Sequence, residues 1–318
     1  MPRTPYTCAD SEAIQARLDH DLVHVVRAVR ATDPHLRSLV LTGAFARGEG
    51  AVLNGVPQDD YELVAIRSLG TPRSPYARLR PELERALGLH IDLTTVSAWR
   101  LPWAPPSIFW YETALRGRTL WGDPLLGRLG VRDGRRIDPA EGARLLVNRA
   151  AGLLRVKDSA DPHARRLQAA NGLLEVLDSR LLGFGSFPPS RTERWARARQ
   201  MHREKALPTD LLRLWPWLSW AFAFRLDPGN APKVDPARAW TAAARAVLRG
   251  APHAARHAGV PSLAPYGRLG GVPMLALLEA SLRTTTPPVA ARRRPVPLAR
   301  VDARPLRLLE ILRRATGQ

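Results

Sequence analysis

Residues 39–62, LVLTGAFARGEGAVLNGVPQDDYE, constrain this chain more than any other stretch. A short apolar run (Leu39, Val40, Leu41) ends at a glycine turn, Gly43. One helical turn over residues 44–47, a polar loop and a second strand over residues 61–66 follow. Side chains alternate faces along a strand, so extended backbone through Asp60 and Glu62 sends both carboxylates to one side and Tyr61 and Leu63 to the other. Like charges held that close raise each other's pKa and add nothing to folding. A divalent cation removes that cost, and magnesium takes a few carboxylates together with water and substrate phosphates. Gly43, having no Cβ, lets backbone N–H groups come close to a phosphate.

A third acid, Asp92, stands between Ile91 and Leu93 in the strand-like run HIDLT. Three acids on adjacent strands beside a glycine turn suit two-metal phosphoryl or nucleotidyl transfer. The order Gly43-Ala44, then Asp60-Tyr61-Glu62, then Asp92 resembles the signature of the polymerase-β-like nucleotidyltransferases in their minimal, antibiotic- and toxin–antitoxin-type form. Ala-Arg-Gly-Glu at residues 46–49 is similar to that family's first-helix sequence, and the resemblance covers roughly residues 36–125.

The resemblance implies Mg²⁺ held by Asp60, Glu62 and Asp92, with Asp92 completing a second metal site or taking the acceptor's proton. It implies the phosphates of ATP or another nucleoside triphosphate cradled by the backbone at Gly43 and Ala44, with Arg47 as a phosphate contact. The reaction would move a nucleoside monophosphate, AMP first among them, to an acceptor hydroxyl and release pyrophosphate. The chain departs from the family in two respects. Its turn reads Gly43-Ala44 where the family has Gly-Ser or Gly-Gly, which removes a hydroxyl, and the spacing from the turn to Asp60 is longer. These departures feed the alternative, a catalytically weakened nucleotidyltransferase fold that works as a nucleic-acid-binding or regulatory module.

The 318 residues allow two domains: a nucleotidyltransferase catalytic domain over residues 1–130 and a basic helical domain over 131–318. In the first, Ile14, Leu18, Leu22, Val25 and Val29 recur at helical spacing behind Asp10 or Ser11 as cap, and Leu79, Leu83 and Leu87 mark a second helix. Helices interleaved with short strands predict an α+β fold, a small mixed β-sheet with helices on one face. The proline-rich RLPWAPPS, a helix, a turn and an edge strand to Pro124 close that domain. Helices are then expected over residues 139–156, 162–182, 191–202, 209–226, 236–248, 273–283 and 305–316, an all-α helical bundle, with an exposed linker over 290–304.

Cys8 is the only cysteine, which excludes an internal disulfide and multi-cysteine zinc sites. The pairs His20/His24 and His253/His257 lack the glutamate of a His-Glu-x-x-His site and read as helix-surface residues. The polar, proline-bearing start has no secretory h-region, and the longest apolar run, residues 214–224, falls far short of the ~20 residues of a membrane span. A cytoplasmic protein without a membrane partner is expected.

Basic residues are almost all arginine: Lys157, Lys205 and Lys233 are the only lysines among 48, a bias that fits a GC-rich coding sequence. Residues 1–130 hold 15 basic and 14 acidic side chains, whereas residues 131–318 hold 33 and 15. The arginines of the predicted helices fall mainly between apolar positions, as on any solvated face. A small-molecule or protein acceptor is therefore favoured, with nucleic acid the alternative. Trp215, Trp217 and Trp220 are read as bundle core rather than as a base-stacking platform. The oligomeric state is left open.

Overall fold

The computed structural model describes residues 5–8, 11–68, 75–259 and 271–285. Helix α1 (Glu12–Thr32) starts where the Ser11 side chain accepts the Ile14 N–H, and its five predicted apolar positions are all buried. Each such burial contributes roughly 1.5–3 kcal/mol. Strand β1 (Leu36–Thr42) runs into the short helix α2 (Gly43–Arg47). The stretch read as one polar loop then forms a hairpin, β2 (Val52–Leu53) and β3 (Val56–Pro57). Asn54 and Gly55 turn it at φ 50° and 74°, the pair of positive values that a two-residue I′ turn requires.

Strands β4 (Tyr61–Arg67) and β5 (Ile91–Ser97) pair in parallel, with α3 (Leu79–Leu87) in the crossover. After a 3₁₀ turn (Ala98–Trp103) come α4 (Ile108–Arg116) and β6 (Arg118–Gly122). The sheet order is β5-β4-β1-β6, with β1 antiparallel to both neighbours, so the sheet is mixed as expected.

Helices cover both faces of this sheet, where one was expected. Leu39, Leu41, Leu63 and Ala65 pack with α1 and α3. Val40, Val64 and Ile66 point the other way, against Ala98, Leu101 and Ala114. The central strands are apolar on both sides, so the second face needs a cover, and the chain after β5 folds back to supply it.

The later residues form α5 (Ala140–Arg155), α6 (Pro162–Gly183), α7 (Arg191–Arg203), α8 (Thr209–Leu226), α9 (Pro236–His257) and α10 (Gly271–Thr285). Asp161 and Asp235 cap α6 and α9, each ahead of a proline at the first helical position, and Ser190 forms a capping box with Glu193 on α7. Helix α9 runs nine residues past its expected end because Ala251, Ala254 and Ala255 continue its buried face. Trp220 is buried in the core, and Trp215 and Trp217 are half-buried against it; Trp215 stacks on Trp195 at 4.8 Å, and the Trp240 indole donates to the Leu153 carbonyl at 2.8 Å. Among the described residues no helix is long and apolar enough to cross a membrane. The predicted helix over 305–316 and the linker over 290–304 lie outside the described residues.

Candidate active site

Glu62 lies in β4, opposite Thr42 of β1 and in register with Asp92 of β5. Gly43 opens α2 at φ +69°, and a Cβ placed there would meet the Glu62 Oε1 at 2.2 Å. The left-handed backbone requires glycine, and any side chain there would also make the Glu62 carboxylate shift. Ala44 is buried beside it, 6 % exposed.

Arg47 closes α2 and is almost wholly buried. Its Nε donates to Glu49 at 2.7 Å and its Nη1 to Glu112 of α4 at 2.6 Å. The other Glu112 oxygen accepts from Arg194 Nη1 of α7 at 2.7 Å, and Arg194 Nε lies 2.9 Å from Asp178 of α6. Glu49 in turn accepts from the backbone N–H and the hydroxyl of Thr192, at 2.7 and 2.9 Å. This chain of alternating charges joins the sheet to α4, α6 and α7.

The network borders a cleft of about 280 Å³ into which Arg47, Glu62, Glu112, Asp178, Arg191 and Arg194 project. Two of these groups form no ion pair or side-chain hydrogen bond among the described residues. Burial pushes the Glu62 carboxyl up to about 7, helped by Glu112, Asp92 and Asp60 against the pull of Arg47. Burial also brings the Arg191 guanidinium down to about 10, helped by Arg225, Arg47 and Arg194 against the pull of Asp178. Arg191 makes no hydrogen bond or ion pair among the described residues, and its buried Nε has no partner.

Of the residues singled out in the sequence, Glu62 and Arg47 reach the cleft, and Gly43 adjoins Glu62. Asp60 is exposed and precedes β4, so strand alternation does not govern its direction. Burial nevertheless raises its carboxyl, as do Asp59 and Asp92, against His90 and Arg225. Asp92 is exposed on β5 beside Glu62, placed there by strand register. Arg47 is not a surface-helix residue; two carboxylates hold it.

Among the described residues no three His, Cys, Asp or Glu side chains are gathered closely enough to hold a metal by themselves. The donor chemistry still fits magnesium, which binds through one or two carboxylates and completes its shell with water and phosphate oxygens. Glu112, Asp178, Arg191 and Arg194 escaped the sequence reading because each lies on an amphipathic helix, where a charged residue looks solvated. The capping-box spacing Ser190 to Glu193 was the one local signal that α7 begins beside them.

No protein-family profile matches the sequence, and no curated protein matches it. A structural comparison pairs the chain with one from a rebuilt structure of the tri-AMPylated Shewanella oneidensis HEPN toxin in complex with MNT antitoxin. Identity is 15 %, the match covers 33 % of this chain and 71 % of that one, and the TM-score is 0.24. A superposition that loose carries no argument, and the functional reading rests on the residues.

Proposed function

We propose that the cleft transfers a nucleoside monophosphate, AMP from ATP in the first instance, to an acceptor hydroxyl. One observation carries the reading: an unpaired carboxylate, Glu62, and an unpaired guanidinium, Arg191, line one cleft. A metal–triphosphate is the common ligand that compensates both, cation toward Glu62 and phosphate oxygens toward Arg191.

Glu62, with Asp60 and Asp92 beside it, would hold Mg²⁺. When bound, the ion neutralises phosphate charge and so lowers the barrier to attack. Arg191 would bind the terminal phosphates, and Glu112 with Asp178 would keep Arg194 and Arg47 from collapsing onto Glu62. The acceptor oxygen forms a bond to the α-phosphorus as the bond to the bridging oxygen breaks. Pyrophosphate leaves, and the acceptor's proton passes to Asp92.

The test is calorimetry with ATP, CTP, GTP and UTP, each with Mg²⁺, followed by α-labelled nucleotide transfer. A hydrogen bond to a charged group is worth about 1.5–3 kcal/mol, so Arg191→Ala should weaken nucleotide binding by about ten- to a hundredfold, with helical content unchanged by circular dichroism. Glu62→Gln should remove the magnesium dependence of that binding. Failure of all four nucleotides to bind, or full affinity in both variants, overturns the reading.

A further inference from the structure

A second, larger feature also reaches α6. Glu175 lines the cleft, and the next residue, Val176, lines a groove of about 810 Å³ between α8 and α9. Arg213 projects into it from α8, and Arg238, Arg245 and Arg249 from α9. All four are exposed, and none of their guanidinium groups has an ion pair or hydrogen bond among the described residues. The only acid lining the groove among the described residues, Asp210, is paired with Arg180. Four of the arginines of the solvated bundle face thus line one groove.

We propose that this groove is a docking site for single-stranded nucleic acid. The three α9 arginines stand at i, i+7 and i+11, so at 1.5 Å per residue they form a row about 16 Å long. A row of that kind matches a backbone of regularly repeated charge. Half-buried Trp217 lies in the same groove, braced edge-on by Trp220 at 6.1 Å, and offers a flat ring of the sort on which bases stack. An acidic protein segment would match the charge but leave that ring unused. The later parts of this chain do not complement that charge: residues 286–318 hold eight arginines against two acids, and residues 260–270 hold no acid at all.

The proposal is independent of nucleotidyl transfer, because the groove and the cleft share no lining residue. Its test is fluorescence anisotropy of the full chain with a short labelled single-stranded RNA, titrated over a range of salt. Each neutralised phosphate contributes about −0.7 to the log–log salt slope. Substituting Arg238, Arg245 and Arg249 together by alanine should therefore flatten the slope by about 2 and weaken binding at least about tenfold at moderate salt. The matching lysine substitutions should keep the slope, which separates lost charge from lost structure. Trp217→Ala should weaken binding with the slope unchanged.

Wild-type affinity and slope in the triple alanine variant would place any RNA elsewhere on the molecule and overturn the proposal. Tighter binding of a duplex than of a single strand would do the same. So would displacement of the RNA by polyglutamate at equal affinity with no effect of Trp217→Ala, which would point to an acidic protein.

Discussion

The carboxylate of Asp59 is held from two directions: Oδ2 accepts the Ala51 N–H at 2.7 Å, and Oδ1 accepts from Arg225 of α8. The second bond joins residues 166 positions apart and ties the loop entering β4, with Asp60 on it, to the helical part of the chain. Arg225 is 5 % exposed, so little water screens the pair.

Arg225→Met should leave a buried carboxylate without its cation and cost about 3–5 kcal/mol in urea unfolding. The double variant Asp59→Asn with Arg225→Met should recover part of that loss, because neither charge is then stranded. A single variant as stable as the parent would mean that this bond does not hold the loop.

Gly43→Ala tests the seat of Glu62. The left-handed backbone alone costs a non-glycine residue about 1–2 kcal/mol, and the added methyl also strikes the Glu62 carboxylate. Gly55 has a similar φ of +74° with nothing near its absent Cβ, so Gly55→Ala should show the backbone cost alone. The expected order of stability is parent, Gly55→Ala, then Gly43→Ala, with Glu62→Ala partly rescuing Gly43→Ala. Equal losses at the two glycines would remove the steric claim.

Glu49 sets a pH dependence. Burial by itself would raise its carboxyl, but Arg47, the Thr192 N–H and Arg191 hold it at about 2 against an ordinary 4.5. A depressed carboxyl stabilises the fold fully above the unfolded value, and that stability is lost as pH falls from about 4.5 toward 2. The shift corresponds to about 3 kcal/mol. Glu49→Gln should therefore be clearly less stable than the parent at neutral pH, with the gap narrowing below pH ~4.5. A gap that stays constant with pH would show that Glu49 acts only by shape.

Helix positions were legible because they rest on local chemistry. Ser11 before an apolar 3–4 repeat, and prolines after Asp161 and Asp235, announce helix starts wherever the chain later packs. The strand cores at Leu39 to Leu41 and Leu63 to Ile66 were visible for the same reason, and so was Glu62 on its strand.

What remained hidden depended on distance along the chain. Only the fold of residues 98–116 covers the second face of the sheet. Nothing near Arg47 in the sequence shows that Glu112, 65 residues on, takes its Nη1. Arg191 reads as one more basic residue of an arginine-rich helix until packing buries it without a partner. Local sequence fixes which residues form a helix or strand and which face is apolar. The neighbours that leave a charge paired or unpaired come from elements scores of residues apart, and tertiary packing alone brings those together.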